Sequence, residues 1–373
     1  MIYLDSAATS LLKPEGVQYA VINAMNNMAS PGRGSHEAAM RACDECFACR
    51  EALAKLFNVP QPDNVVFTFN ATHALNIAIS SVAGRGDTVL VSGYEHNSVT
   101  RPLKALGAEI IAVKMPLFDT GAFLEEFEKR LPECRCVVCT HVSNVFGYIL
   151  PMEEIARLCR AAGKPLVVDA SQSAGVLDVD FKALGADFIA MPGHKGLFGP
   201  QGTGVLLCKN EAKPLLYGGS GSSSRVQTMP EFLPDRLEAG THNVSGIAGL
   251  RAGVEYILRR GTVSIRAHER ALLELTARRL SGVPGLRLFY CPDGQRQSGV
   301  LSMVPEGMYC ETLGERLAER GIAVRCGLHC APLAHETAGT VEGGTLRMSF
   351  SPFNGADECV RAAEAVAEIL GKS

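Results

Sequence analysis

Lys195 lies in the glycine-rich segment 191–200, directly after the short apolar run 188–190. A strand that ends at such a turn places one lysine at the carboxyl edge of a sheet, where open α/β folds bind their ligands. A desolvated amine in that position loses its proton readily and can form a Schiff base with an aldehyde. The pattern predicts a nucleophilic lysine at a sheet edge.

A second strand end lies upstream, where the apolar run 165–168 is followed by Asp169. A lysine that condenses with an aldehyde and a carboxylate that keeps a pyridine nitrogen protonated are the two protein groups that pyridoxal phosphate requires. Asp169 and Lys195 together therefore predict this cofactor.

Two further segments supply polar groups near the same expected edge. Asn70–His73 follows a strand and opens a helix, whose N–H groups and dipole suit a dianionic phosphate, although helix capping needs the same residue types. His96 is either a ring that lies flat on a cofactor or an ordinary hydrogen-bonded histidine. Because His96, Asn144, Asp169 and Lys195 all follow strand ends, we expect them at one edge of one sheet.

The elements that must position these residues are short apolar runs that alternate with helix-like stretches. The runs are 65–69, 88–91, 109–113, 136–140, 166–168, 188–190 and 204–207, and the helices between them include 72–82, 123–130 and 152–162. Fully apolar strands separated by helices are typical of a parallel sheet with crossover helices. The pattern predicts an α/β fold with a mostly parallel, seven-stranded sheet.

Beyond residue 240 the pattern changes. A helical region at 245–280, interrupted near Gly261, precedes strands at 286–290, 299–304 and 344–350, which surround a helix at 310–320, and a helix at 356–370 follows. This order favours a smaller α+β domain. We expect an N-terminal segment (1–15) that packs with the small domain, a large cofactor-binding domain (16–255) and a small C-terminal domain (256–373).

Composition excludes several classes of partner. The 373 residues are 47% hydrophobic and carry a net charge of -3, with a pI near 6.3, which gives no electrostatic case for nucleic acid or an anionic membrane. Apolar runs are too short to span a bilayer, and the first residues lack the features of a signal peptide. We therefore expect a cytoplasmic protein with no nucleic-acid or membrane partner.

The thirteen cysteines are predicted to be free thiols of a reducing compartment. Cys43, Cys46 and Cys49 have a spacing that iron–sulfur clusters also use. Helix formers across 36–57 favour a helix with small side chains instead, so no metal site is predicted. Cys134, Cys136 and Cys139 lie along a strand-like run and are expected in the core.

Seven motifs, from a series that runs from residue 4 to 354, resemble in order those of the class V aminotransferase group and specifically the cysteine desulfurases. The motifs are Leu4-Asp5-Ser6-Ala7-Ala8-Thr9, Asn70-Ala71-Thr72-His73-Ala74-Leu75-Asn76, Glu95-His96-Asn97-Ser98, His141-Val142-Ser143-Asn144-Val145-Phe146-Gly147, Val168-Asp169-Ala170-Ser171-Gln172, Gly193-His194-Lys195 and Glu238-Ala239-Gly240-Thr241. The resemblance implies fold type I of the pyridoxal phosphate enzymes and a homodimer.

The resemblance also assigns roles at matching positions. It implies that Lys195 bonds to the cofactor aldehyde, Asp169 pairs with the ring nitrogen, and His96 stacks on the ring. It further implies contacts of Gln172 with the phenolic oxygen. The implied phosphate ligands are Ala71, Thr72, His194 and, from the second subunit, Thr241. The implied substrate-binding residues are Asn144, Arg347 and Ala8.

Pro192 departs from the family pattern, which has Ser or Thr two residues before the His-Lys pair. Since proline brings no hydroxyl donor, one phosphate hydrogen bond is expected to be missing, with weaker cofactor binding or compensation by a neighbouring loop.

The segment 324–335 resembles the short active-site loop of the selenocysteine-lyase-like group of desulfurases, whose nucleophile matches Cys330. A thiolate can attack the sulfur of a substrate, and nearby histidine or arginine charge would lower its pKa. Cys326 is either a bystander, which we favour, or a resolving thiol.

The resemblance implies conversion of L-cysteine to L-alanine, with a persulfide on Cys330 and transfer of its sulfur to an acceptor protein. The alternatives are a selenocysteine β-lyase acting on L-selenocysteine, a class V aminotransferase or eliminating lyase, and a non-catalytic scaffold.

Overall fold

The computed structural model describes residues 1–32, 34–209 and 212–371, so the predicted domains 16–255 and 256–373 each include a few residues outside this description. The strands are β1 (Ile2–Tyr3), β2 (Val65–Thr68), β3 (Thr88–Ser92), β4 (Glu109–Val113), β5 (Cys136–Thr140), β6 (Leu166–Asp169), β7 (Phe188–Pro192), β8 (Gly204–Cys208), β9 (Leu286–Phe289), β10 (Val300–Pro305), β11 (Ile322–Ala323), β12 (Arg325–Gly327) and β13 (Thr345–Ser349). The α-helices are α1 (Glu15–Asn27), α2 (Glu37–Leu56), α3 (Ala71–Val82), α4 (Asn97–Leu106), α5 (Thr120–Arg130), α6 (Met152–Ala161), α7 (Phe181–Leu184), α8 (Val244–Arg260), α9 (Thr262–Leu280), α10 (Cys310–Glu319), α11 (Pro332–Ala338) and α12 (Ala356–Gly371). Single 3₁₀ turns lie at Pro62–Asn64 and Leu131–Glu133.

The seven predicted strands form one sheet, hereafter the main sheet, in the order β2-β8-β7-β6-β5-β3-β4. β8 is antiparallel to β2 and β7, and the other neighbouring pairs are parallel. The predicted α/β fold with a mostly parallel sheet is confirmed. Thr140 is in register with Asp169, and Asp169 with Ala190, so the carboxyl ends of β5, β6 and β7 meet at one edge.

Side chains of the main sheet alternate between two apolar cores. Val137 and Val168 point into the core that contains α2, α5 and α6, whereas Val138 and Val167 point into the core that contains α3 and α4. Full burial of such a side chain contributes about 1.5–3 kcal/mol. Burial on both faces explains why the strands are continuously apolar, and it fixes the position of the carboxyl edge.

A four-stranded antiparallel sheet, hereafter the small sheet, has the order β12-β13-β10-β9 and packs on α9, α10 and α12. β1 pairs in parallel with β11, and Asp5 bridges to Ser349 of β13, so the N-terminal segment lies against the C-terminal part of the chain. Gly261, with φ of 81°, separates α8 from α9, where the sequence predicts an interruption. The domain limits themselves remain a prediction.

The cysteine-rich segment forms the predicted helix, α2. Cys46 and Cys49 are buried on it, and burial raises the pKa of the Cys46 thiol to about 12. Among the residues that the structure describes, no cluster of three or more Cys, His, Asp or Glu side chains could hold a metal ion. Cys134, Cys136 and Cys139 are in the core, as predicted.

Within the same described ranges, every helix is too short or too polar to cross a bilayer.

Candidate active site

A cavity of about 230 Å³ lies at the carboxyl edge of the main sheet and extends to the N-terminal segment and the small sheet. It brings together ten of the twelve predicted site residues, namely Ala8, Ala71, Thr72, His96, Asn144, Asp169, Gln172, His194, Lys195 and Arg347. The other two, Cys330 and Thr241, do not line it. We refer to it as the edge cavity.

Lys195 reaches the edge cavity from a tight turn after β7. Gly193 N–H donates to the Thr203 carbonyl at 2.8 Å, and a Cβ on Gly196 would lie 2.4 Å from the Ala174 carbonyl oxygen, so glycine is needed there. The pKa of the Lys195 amine is lowered to about 8, chiefly by burial; Asp169 opposes this change, and Arg347 and Arg325 add to it. A sizeable fraction of this amine is therefore neutral near pH 7–8.

Asp169 is the last residue of β6 and is 3% exposed. Its Oδ1 accepts a hydrogen bond from Ser171 N–H at 2.9 Å, which fixes the carboxylate at the floor of the cavity. A buried carboxylate held in this way suits the protonated nitrogen of a ring placed above it.

His96 caps the N-terminus of α4, with its Nδ1 accepting from Ser98 N–H at 3.0 Å. Burial lowers the pKa of its imidazole to about 4, and the charge of Lys195 acts in the same direction, so the ring is neutral at physiological pH. The neighbouring Glu95 is fully buried, and its Oε1 accepts from Thr140 N–H at 2.8 Å. Sequence reasoning gave Glu95 no role, but this bond ties the turn that carries His96 to β5.

The predicted phosphate site is the start of α3. Asn70 Oδ1 accepts from His73 N–H at 2.9 Å. The N–H groups of the first turn point out of the N-terminal end of α3, and this end lines the cavity. Thr72 Oγ1 lies 2.8 Å from Ser98 Oγ. Ser98 also lines the cavity, so the first turns of α3 and α4 present their hydroxyls side by side. A signal for Ser98 was present in the sequence, because Ser98 lies at the start of a second helix, α4, at the same edge of the main sheet.

The N-terminal segment closes one side of the cavity. His194 Nδ1 lies 3.0 Å from Thr9 Oγ1, and Gln172 Nε2 donates to the Ala7 carbonyl at 3.0 Å. Burial lowers the pKa of His194 to about 4, with Lys195 and Lys13 contributing. His194 and Gln172, both predicted cofactor ligands, are therefore positioned by residues of the N-terminal segment.

Arg347, on β13, is 1% exposed and has a partner that the sequence did not reveal. Its Nη2 donates to Asp5 Oδ1 at 2.6 Å, and its Nη1 donates to the Asn144 carbonyl at 2.8 Å. Asn144 Nδ2 donates to the His329 carbonyl at 2.8 Å. Within the described residues, Arg347 Nε and Asn144 Oδ1 have no hydrogen-bond partner, which leaves one donor and one acceptor unused at the predicted carboxylate site.

Cys330 lies at the rim of the edge cavity and is exposed. Its carbonyl accepts from Asn97 N–H at 2.8 Å, which ties the loop to the first residue of α4. His329 and Cys330 have φ of 49° and 57°, a conformation that costs about 1–3 kcal/mol per non-glycine residue. The loop thus holds its thiol in a strained, defined backbone position beside the cavity.

The charge near Cys330 comes from arginine, one of the two sources that the sequence left open. Arg325 Nη2 lies 3.8 Å from Cys330 Sγ and also lines the cavity. His329 is buried, and burial lowers its pKa to about 2, so it is neutral. Arg325, which sequence reasoning did not single out, is therefore the cation that can stabilise a thiolate here.

Cys326 points away from this loop. Its Sγ donates to the Cys310 carbonyl at 3.1 Å, and burial raises its pKa to about 12. A protonated, partly buried thiol in the small-sheet core supports the bystander interpretation over the resolving one.

Thr241 is exposed and lies outside the edge cavity, beside Phe69 and His242 in a separate pocket. Its segment is anchored by Glu238, whose carboxylate receives two hydrogen bonds from Arg50, at 2.8 and 2.6 Å. A residue that serves a second subunit has to be exposed in this way.

The chain matches the class V aminotransferase family model over residues 2–361 and belongs to that family. It is 34% identical to a probable cysteine desulfurase of Methanothermobacter thermautotrophicus, over 99% of this chain and 95% of that protein. The apo structure of a cysteine desulfurase from Thermococcus onnurineus NA1 superposes with a TM-score of 0.91 at 31% identity, covering 100% of this chain and 95% of that one. The Escherichia coli cysteine desulfurase CsdA, in its S-sulfonic acid form, gives 0.85 at 30%, covering 99% and 94%. The predicted family and fold type are confirmed.

Proposed function

We propose that this chain is a pyridoxal phosphate-dependent cysteine desulfurase that converts L-cysteine to L-alanine and passes the sulfur through Cys330 to an acceptor protein. The observation that carries the proposal is one cavity lined by Lys195, Asp169 and Arg325, with the Cys330 thiol beside Arg325 at its rim. The relatives described above are cysteine desulfurases.

The residues of the edge cavity fit pyridoxal phosphate. Lys195 would hold the aldehyde carbon, Asp169 the ring nitrogen and Gln172 the phenolic oxygen. The starts of α3 and α4, with His194, would hold the phosphate. When bound, the cofactor supplies an electron sink for negative charge at the substrate Cα.

The side chains of the protein would then manage the protons. Neutral Lys195 Nζ accepts the Cα proton and later returns it, which its lowered pKa permits near neutral pH. Asp169 would keep the ring nitrogen of the bound cofactor protonated. Neutral His96 would pack against the ring without competing for that proton.

Arg347 and Asn144 are the predicted ligands of the substrate carboxylate. The unused Arg347 Nε is a donor and would bind the carboxylate, whereas the unused Asn144 Oδ1 is an acceptor and suits an N–H group of the substrate. Cys330 Sγ, as a thiolate beside Arg325, attacks the substrate sulfur. The new S–S bond forms as the Cβ–S bond breaks, the electron pair remains with Cβ, and Cβ takes up a proton so that alanine can leave.

The test is mass spectrometry of the holoenzyme after addition of L-cysteine. We expect a gain of one sulfur atom on the peptide that contains Cys330, and loss of that gain and of alanine formation in Cys330→Ala. Cys326→Ala is the matched control and should keep both. Alanine formation at the original rate by Cys330→Ala would refute the mechanism.

The same variant separates the closest alternative. Because selenium leaves carbon more readily than sulfur does, release of selenium from L-selenocysteine need not involve the Cys330 thiol. A Cys330→Ala protein that loses cysteine turnover and retains selenocysteine turnover would assign a selenocysteine β-lyase activity to this site.

A further inference from the structure

A second, smaller cavity lies behind Lys195, between the turn after β7, the N-terminal segment, α9 and the small sheet. Its volume of about 40 Å³ has room for about three water molecules. Its polar lining consists largely of serines, namely Ser6, Ser10, Ser171, Ser298, Ser349 and Ser351. We refer to it as the serine cavity.

The serine cavity adjoins the edge cavity. Ala7, Ser171, Gln172 and Lys195 line both of them, so these residues form the partition. Gln172 is held in the partition by its hydrogen bond to the Ala7 carbonyl, at 3.0 Å. Of these four residues that line both cavities, Lys195 is the titratable one.

Glu269 of α9 supplies a carboxyl group to the serine cavity and is only 6% exposed. The described residues include no hydrogen-bond or ion-pair partner for this carboxyl. Burial raises its pKa to about 8, and Arg260 at the end of α8 opposes the rise. Arg260 is the charged group that acts on its pKa, and Lys195 lines the same cavity.

An unpaired buried carboxyl is costly and calls for an explanation. A purely structural acid would be expected to have a protein donor or acceptor, as Glu238 has in Arg50. Glu269 instead shares a polar, water-sized cavity with the lysine that handles the substrate proton.

We propose that Glu269 and the waters of the serine cavity form a proton relay that exchanges protons between Lys195 Nζ and solvent. In one direction, the Glu269 O–H bond breaks, its proton passes to a water, and that water gives a proton to neutral Lys195. The result is a carboxylate and an ammonium. The carboxylate then takes a proton from a solvent hydronium, which restores the acid, and the reverse sequence passes a proton from Lys195 to solvent. This inference rests on the proposed function, because it assigns Lys195 the role of proton carrier.

The relay predicts the fate of the substrate proton. With L-cysteine deuterated at Cα, wild-type enzyme in ordinary water should lose much of the label to solvent, because Lys195 exchanges its deuteron through Glu269. Glu269→Gln should retain at least about twice as much deuterium in the alanine formed, since relay exchange is blocked. Glu269→Asp should restore part of the exchange. Glu274→Gln, farther along α9 in a partly exposed pair with Arg270, is the control and should behave as wild type.

A measurement on the apoprotein gives a second readout that does not depend on turnover. Pulse acetylation of Lys195 across pH, read by mass spectrometry, reports the pKa of its amine. Ionised Glu269 favours the ammonium form, so Glu269→Gln should shift the profile to lower pH by about half a unit. Unchanged deuterium retention together with an unchanged acetylation profile would overturn the relay.

The two measurements also separate the relay from the proposed function. If wild-type protein makes no alanine from cysteine, the desulfurase proposal fails, and the acetylation profile alone decides whether Glu269 is coupled to Lys195.

Discussion

Ser98 lies in the same cavity as Pro192, where its hydroxyl can replace the phosphate donor that proline lacks. Pro192 lines the edge cavity at the position where related sequences have a hydroxyl, and the Ser98 hydroxyl lines the same cavity beside Thr72. Ser98 Oγ also lies 2.9 Å from His96 Nδ1, so its position is fixed from two sides. We expect this hydroxyl to supply the compensation by a neighbouring loop that the sequence left open.

Replacement of Ser98 by alanine should weaken pyridoxal phosphate binding about 10-fold or more, because a hydrogen bond to a charged group contributes about 1.5–3 kcal/mol. The measurement is a spectroscopic titration of the apoprotein with the cofactor. Ser80→Ala is the control, since the Ser80 hydroxyl donates within α3 to the Ile77 carbonyl, at 3.1 Å. Equal dissociation constants for Ser98→Ala and wild type would mean that Ser98 does not bind the phosphate.

At the same scale, the sequence predicts residues better than it predicts their partners. Lys195 and Asp169 were predictable because each follows an apolar strand and both therefore reach one edge. Asp5 was not assigned to Arg347, and Glu269 was not associated with Lys195. In both cases the two residues come from parts of the chain that only the tertiary fold brings together, so no local sequence pattern predicts their proximity.

Among the elements, the strands of the main sheet were predictable and the three shortest strands of the chain were not. Each main-sheet strand is a continuous apolar run because both faces are buried. β1, β11 and β12 have two or three residues each, too few to show a period of two. The Cys330 loop follows β12, and its backbone is set by a contact with Asn97 that its own sequence does not encode.

The segment 238–241 depends on one buried ion pair. The side chains of Arg50 and Glu238 are 7% and 3% exposed, and Glu238 Oε1 also accepts from Phe67 N–H at 2.6 Å. Glu238→Gln leaves the Arg50 charge without its partner, so we expect a loss of about 3 kcal/mol or more in the free energy of unfolding.

Urea denaturation measures this loss, and the control is Glu37→Gln, which removes an exposed pair with Arg41 on α2. The control should change stability by less than about 1 kcal/mol, because exposed pairs contribute little. A Glu238→Gln protein as stable as the control would show that the pair does not hold this segment.

At the scale of the whole molecule, one face of the chain is unusually apolar. The outer face of α1 carries three exposed apolar side chains at helical spacing, namely Tyr19 (76% exposed), Ile22 (50%) and Met25 (70%). On α2, Phe47 is 51% exposed. Apolar side chains spaced in this way mark a surface that a partner covers. The exposed Thr241 fits the same picture, since its expected role is in the other subunit of a homodimer.

A mixture of two impaired proteins tests whether that dimer shares its active sites. In a heterodimer of Lys195→Ala and Thr241→Val subunits, the site with an intact Lys195 would receive an intact Thr241 from the other subunit. We therefore expect the mixture, after subunit exchange, to recover cofactor binding and cysteine turnover at one site per dimer, above the sum of the two separate proteins. If each Thr241 serves its own chain, the only intact lysine stays beside the valine of its own subunit, and mixing gains nothing. Light scattering on the same samples reports the dimer itself, so an active protein that stays monomeric would contradict the shared site directly.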